Sequence, residues 1–230
     1  FNAQGMFDIY VAVHPSDPNK VYAGGIDILR TTNGGAAWTN ITQGYSTRKF
    51  HPDQQAFAFN PLNPNTIYVV GDGGVMKSYN GGTSFVDLNN NLTITQFIGL
   101  AVSATDTNIV LAGSQDNGTE YFTGNPNWSL VAEGDGGFTE IDPTNNNIQY
   151  GQRYHVAPDN FSQFKTTNAW SSSSNINGGL VATDRSEFYV PYTLDEHNPT
   201  RCFLGTYRVY RTTSRGSSWT AVSGYLTGGQ

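Results

Sequence analysis

The sequence predicts an all-β fold, a β-propeller of four-stranded antiparallel blades with about five blades visible, and three observations predict it. An eight-residue signature occurs three times, as Thr31-Thr-Asn-Gly-Gly-Ala-Ala-Trp38, Ser78-Tyr-Asn-Gly-Gly-Thr-Ser-Phe85 and Thr212-Thr-Ser-Arg-Gly-Ser-Ser-Trp219. The first two copies lie 47 residues apart (85 minus 38), and the features between them keep that step, with Pro15 to Pro61 and Tyr22 to Tyr68 both 46 residues. Alternating apolar segments separated by Asn-Pro and Gly/Asp turns fill each period, which is the pattern of short strands joined in meanders.

Each blade can be justified in order. Blade one (about 6–42) takes an alternating run from Met6 to Val13, the turn at His14-Pro15, Val21 to Ala23, the turn Gly24-Gly-Ile-Asp27, then Ile28 to Thr31 and the first signature. Blade two (54–89) repeats the plan as Ala56 to Phe59, Asn60-Pro61, Ile67 to Val70, Gly71-Asp-Gly-Gly74 and Val75 to Ser78. Blade three (96–132) runs from Phe97 through Ile109 and Gln115-Asp-Asn-Gly118 to Trp128, its signature decayed. Blade four (136–169) takes Phe138 to Pro143, Ile148 to Tyr150 and Tyr154-His-Val156, ending near Phe164. A polar insertion, Ser171 to Asn177, is expected before blade five (177–223), which takes Glu187 to Tyr192, Cys202 to Leu204, Tyr207 to Thr212 and the third signature. The 230 residues are expected to be a single propeller domain, either a piece of a longer propeller or a closed ring of five. The chain opens on Phe1, and a removed leader or a longer parent is the expectation.

The signature reads as a hairpin turn. Asn33 and Asn80 can accept backbone N–H groups, Gly35 and Gly82 supply positive φ, and the closing aromatic (Trp38, Phe85, Trp219) packs beneath. Thr31, Ser78, Thr212 and Gly216 complete the three structural sets. On this motif the chain resembles the Asp-box (BNR-repeat) propellers, shared by sialidases, family 74 glycoside hydrolases and sortilin-type receptors. That resemblance implies a structural role for the box, on the face opposite the active or binding site.

Composition excludes some functions. Charged residues make up only 13% of the chain and the net charge is −6, so there is no basic stripe to attract nucleic acid or an anionic membrane. One cysteine, Cys202, forbids an internal disulfide, and its apolar surroundings Cys202-Phe-Leu204 predict a buried strand position. No apolar run reaches the 18 or so residues of a membrane span. Secretion or a bacterial cell-surface location, with a glycan or a surface protein as partner beside the remaining blades of a longer parent, is the reading these features allow.

Topology says where chemistry would sit. The turn between strands two and three and the link from strand four to the next blade share one rim, opposite the signature turns. Asp27, Asp72 and Asp116 with Asn117 lie in such turns; His51-Pro-Asp53-Gln-Gln55 and Gly134-Asp135-Gly-Gly137 lie in such links. Turn chemistry alone favours Asp and Asn there. The shared run Gly-Asp-Gly-Gly, once in a turn and once in a link, points instead to close approach by a ligand. His51 and Asp53, two apart on an extended link, would face the same side and suit ligation or acid/base work. Asp72 and Asp135 are the metal candidates, with calcium the cation such oxygen-rich turns suit. His14, His155 and His197 read as structural or rim groups.

The order of motifs from Gly5 to Asp142 is similar to that of large secreted propeller proteins of Bacteroidetes type, many with a C-terminal sorting domain. The matching residues are Ala23-Gly-Gly25, the Thr31 box, His51-Pro-Asp-Gln54, Gly71-Asp-Gly-Gly74, Gln115-Asp-Asn-Gly-Thr119 and Gly134-Asp-Gly-Gly137. At Gln55 that pattern has a second histidine, and the departure weakens transfer of a metal or paired-histidine role. Two functions stay open. One is a recognition module binding glycan or protein on the rim through His51, Asp53, Asp72, Asp116, Asn117 and Asp135. The other is a glycoside hydrolase related to family 74, with Asp72, Asp135 and Asp116 as candidate acid and base. A sialidase would need an arginine triad and an Arg-Ile-Pro segment, and no such segment is present.

Overall fold

A computed structural model of the chain describes residues 7–47 and 50–228; Gly5, Met6 and Arg48 lie outside them. Among the described residues there are five four-stranded antiparallel sheets, each a meander in chain order. The first holds β1 (Tyr10–His14), β2 (Asp17–Gly24), β3 (Ile28–Thr31) and β4 (Thr39–Asn40). After the single helical turn α1 (Gly44–Thr47), the second holds β5 (Gln54–Asn60), β6 (Asn63–Gly71), β7 (Gly74–Ser78) and β8 (Val86–Asp87). The third has β9 (Phe97–Val102), β10 (Ile109–Ser114), β11 (Gly118–Thr123) and β12 (Ser129–Ala132). The fourth has β13 (Glu140–Ile141), β14 (Gln149–Gln152), β15 (Gln163–Thr166) and β16 (Ser174–Asn175), and the fifth β17 (Tyr192–Leu194), β18 (Cys202–Gly205), β19 (Val209–Thr212) and β20 (Thr220–Ala221). This is the propeller-blade construction the repeat predicts. The chain forms two compact units, 1–94 with the first two blades and 95–230 with the other three.

Within each unit, blades are joined by side chains that alternate along the inner strands. In unit 1, Phe57 and Phe59 of β5 set their rings 4.9 and 5.7 Å from Tyr22 of β2, in a core with Ile28, Phe50, Ile67 and Val69. In unit 2, Tyr192 of β17 meets Tyr150 of β14 at 6.1 Å, and Ile141 of β13 shares a core with Leu111 of β10. A polar clasp repeats as well. Arg30 donates to the Gly81 carbonyl at 2.7 Å, and the equivalent Lys165 donates to the Arg215 carbonyl at 2.6 Å, so strand three of one blade holds the signature turn of the next. Cys202 is buried as expected, and burial pushes its thiol up to about 12.

The signature turns have the expected bonds. Thr31 Oγ1 accepts the Asn33 and Gly35 amides while Asn33 Oδ1 accepts that of Ala37, and Ser78, Asn80 and Gly82 repeat the set. Thr212 and Gly216 do likewise in blade five, where Trp219 is buried and donates to the Ile176 carbonyl at 2.6 Å. Trp38 differs from the expectation of an aromatic packed beneath, being 44% exposed. Phe85 packs edge-on against Phe50, 4.8 Å away.

A fourth copy was hidden. Thr166 Oγ1 accepts the Asn168 and Trp170 amides, and Asn168 Oδ1 accepts that of Ser172, the same geometry with Ala169 and Trp170 in place of the two glycines. Both adopt left-handed φ, 50° and 70°. The stretch expected as an insertion at Ser171 to Asn177 is therefore this turn and the outer strand β16, and the fourth blade runs on past residue 169.

Candidate functional site

The rim of unit 2 gathers four segments. The β10–β11 turn carries Asp116 and Asn117, the β12–β13 link carries Asp135, the β14–β15 loop carries Arg153 and Tyr154, and the β16–β17 link carries Phe188 and Tyr189. Asp116 sits at φ 64°, and its amide donates to Asp135 Oδ1 at 3.1 Å, which fixes the Asp135 carboxylate beside the turn. The Arg153 Nε donates to the Glu133 carbonyl at 2.5 Å, tying the third segment to the second. Tyr189 closes the group. Its hydroxyl is buried without a partner among the described residues, and its pKa is raised by burial first and then by Asp135 and Asp116. Next to these polar groups, Tyr154 and Phe188 stack nearly parallel, centroids 4.9 Å apart and planes at 6°, and stand 40% and 41% exposed.

Glycines in this rim are spent on the protein's own packing. A Cβ on Gly136 would lie 2.1 Å from the Gly118 carbonyl oxygen, and one on Gly137 would meet the Tyr189 ring at 2.7 Å. The Gly-Asp-Gly-Gly run thus has a structural cause at 134–137, and at 71–74 as well, where a Cβ on Gly73 would collide with His51 at 2.2 Å.

In unit 1 the link and turn are woven together. The Asp53 amide donates to Ile26 O at 2.9 Å, the Gln54 amide to Gly25 O at 2.8 Å and the Asp72 amide to Asp53 O at 3.2 Å. Asp53 has φ 66°, so the link is not extended there, contrary to the expectation for the His51/Asp53 pair. The His51 ring nitrogen Nδ1 lies 2.9 Å from the Pro52 carbonyl. Carboxylate oxygens of Asp53 and Asp72 approach within 4.8 Å of each other. Asp53 is buried and its carboxyl is pushed up to about 6, by desolvation first, then by Asp8 and Asp72, with His51 opposing. Gln55, standing where the related pattern has histidine, donates to Asp72 Oδ1 at 3.1 Å.

Asp27 holds its own blade together. Its two oxygens accept from Thr42, Gly44 and Asn40 at 2.7–2.9 Å. His155 is buried between Ser186 and two carbonyls and stacked on Phe161, which is a structural role. Asn117 bonds to the Gln115 carbonyl on the turn itself. Of the candidate residues, His51, Asp53 and Asp72 come together in unit 1, and Asp116, Asn117 and Asp135 in unit 2. Sequence reasoning passed over Tyr154, Phe188, Tyr189 and Arg153 in the second group and Asp8 and Gln54 in the first, because no local pattern marks residues that only the blade arrangement joins.

No family model matches the chain, and no curated protein matches it. Solved structures are similar at low identity. They include an ancestral GH74 enzyme (17% identity, TM-score 0.45, covering 95% of this chain and 32% of that one) and YCF48 bound to D1 peptide (13%, 0.44, 91% and 65%). Another is an auxiliary nutrient binding protein from Bacteroides thetaiotaomicron (12%, 0.44, 74% and 41%). The chain spans less than two thirds of the length of each.

Proposed function

We propose that the chain is an extracellular recognition module that binds glycan on the rim of unit 2. The observation that carries this reading is the exposed Tyr154/Phe188 stack, whose Phe188 packs edge-on against Tyr189, the side chain that Asp135 and Asp116 act on, with the Asp135 carboxylate held by the Asp116 amide. A sugar ring presents apolar C–H faces and hydroxyl edges, so it is recognised by a flat aromatic surface next to hydrogen-bond acceptors. Asp116 and Asp135 supply the polar half. No helix among the described residues is long and apolar enough to cross a membrane.

The test is affinity electrophoresis and calorimetry of the full chain against a panel of soluble polysaccharides. Saturable retardation by at least one of them, reduced tenfold or more in Tyr154→Ala and Phe188→Ala and retained by Asp17→Asn, is the expected result. Silence across the panel, or binding that survives both aromatic truncations, sinks the assignment to this rim.

A hydrolase is the second reading, favoured by one observation, the approach of Asp53 and Asp72 in unit 1 with one carboxyl raised. Retaining glycosidases place their carboxyls ~5–5.5 Å apart. Reducing-sugar release that vanishes in Asp72→Asn would establish it.

A further inference from the structure

Neighbouring blades within a unit meet by a rule that repeats, and blade one carries one half of that rule uncovered. Phe57 and Phe59 of β5 pair across the second sheet with Val69 and Ile67, and their rings lie 4.9 and 5.7 Å from Tyr22 of blade one. Blade one has Val11 and Val13 of β1 at the same positions, paired with Ala23 and Val21 and 46 residues earlier (57 minus 11, 59 minus 13). They stand 68% and 53% exposed, and Ile9, on the same face by strand alternation, is 54% exposed.

The signature turns repeat the contrast. Gly82 and Gly216 are pressed against the preceding blade, where a Cβ on either would stand 2.6 Å from Ile41 or Ile176. A Cβ on Gly35 would meet only Trp38 of its own turn, at 3.9 Å, among the described residues. Phe85 rests on Phe50 and Trp219 bonds to Ile176, both from the blade before, whereas Trp38 is left half in water. The Gly81 and Arg215 carbonyls accept from Arg30 and Lys165 of the preceding blade; the equivalent Gly34 carbonyl accepts no hydrogen bond among the described residues.

Blade five carries the other half. Tyr22 faces Arg30 across β2 and β3, Tyr150 faces Lys165 across β14 and β15, and Phe203 faces Arg211 across β18 and β19. Arg30 and Lys165 are engaged with the next blade's turn, but Arg211 is exposed, and among the described residues its guanidinium has neither a hydrogen bond nor an ion pair. Phe203 and Val209, in the register positions of Tyr22 and Ile28, are half-buried on the same face. Covering an apolar stripe is favourable in proportion to the area taken from water, and an arginine on a carbonyl fixes the register of the contact. The complement that blade one lacks is therefore present on every copy of the chain.

We propose that blade one docks blade five of a second copy, with Val11 and Val13 covered by Phe203 and Val209 and the Gly34 carbonyl accepting from Arg211. The contact is heterologous, head to tail, because the two faces are different surfaces. It is independent of the glycan rim proposed above, and its test reads association alone.

The experiment is sedimentation equilibrium of the full chain over a concentration series, with circular dichroism to establish that each variant is folded. The wild-type chain should associate reversibly. Val11→Asp and Arg211→Glu, both at exposed positions, should each weaken association tenfold or more. Leu62→Ser, which removes a 95% exposed apolar side chain from the β5–β6 turn, should leave it within twofold. Mixing is the decisive arm. Val11→Asp keeps an intact blade-five face and Arg211→Glu an intact blade-one face, so the two variants should form a one-to-one heterodimer at concentrations where each alone is monomeric. Association untouched by either variant, or variants that fail to pair with each other, would overturn the proposal. A wild-type chain that stays monomeric throughout the series would overturn it too, and would leave the face of blade one to a blade of another protein.

Discussion

At the scale of single residues, the chain uses carboxylates mostly as acceptors for its own turns. Asp27 gathers three donors to shape the outward link of blade one, and Asp184 is buried under Tyr207, Arg208 and Tyr210. Glu140 is different, because it is half-buried with the Leu194 amide donating to it at 3.2 Å, and desolvation raises its pKa above the ordinary 4.5 despite that bond. A carboxyl raised on folding favours the protonated native state, so its stabilising contribution is present below pH ~4.5 and is lost as pH rises through its native value. Glu140→Gln should therefore flatten the fall in melting temperature between about pH 4.5 and 7 relative to wild type. Parallel melts across that range check it, and identical pH profiles would count against the burial argument.

At the scale of elements, the signature turn is a self-contained device. One hydroxyl accepts two amides, one short polar side chain accepts the next, and the strands on either side are clipped together. Its glycines were the visible part, and the hydrogen bonds are the essential part. In blade four the bonds persist with Ala169 and Trp170 at left-handed φ, a conformation that costs a non-glycine residue about 1 kcal/mol or more. Trp170 recovers some of it by donating through its indole to Gln149 at 2.7 Å. Thr166→Ala leaves two amides without their acceptor in a buried position and should cost about 1–3 kcal/mol, read from the denaturant midpoint. Thr166→Ser, which keeps the hydroxyl, should recover most of that loss. A Thr166→Ala chain as stable as wild type would show that the fourth turn contributes nothing.

At the scale of the whole molecule, stability comes from ordinary burial in a sequence-local meander, not from covalent ties. Every sheet is made of consecutive strands, so all strand pairings are short-range in the chain, an arrangement that favours fast local formation. The one cysteine is fully buried and its thiol is held at about 12, far above the range in which it would react or pair. Melting curves with and without reductant should therefore coincide, and a thiol reagent at pH 8 should label Cys202 only after denaturation. Rapid labelling of the native chain would show that β18 opens far more readily than its burial implies.

The number of blades, their four-strand meanders and the signature turns at three sites were legible in the sequence, because hairpin turns and strand alternation are decided by a few adjacent residues through φ and local hydrogen bonds. The fourth turn was not, since its distinguishing glycines are replaced and only the fold compels Ala169 and Trp170 into that conformation. The repeated Gly-Asp-Gly-Gly run suggested open approach for a ligand, whereas Gly73, Gly136 and Gly137 are small to admit His51, Gly118 and Tyr189. The tertiary structure alone decided that Tyr154 meets Phe188, a pair separated by 34 residues (188 minus 154). Sequence patterns record what neighbours along the chain do to one another; such pairings are set by how one blade packs on the next, which no single period of the sequence contains.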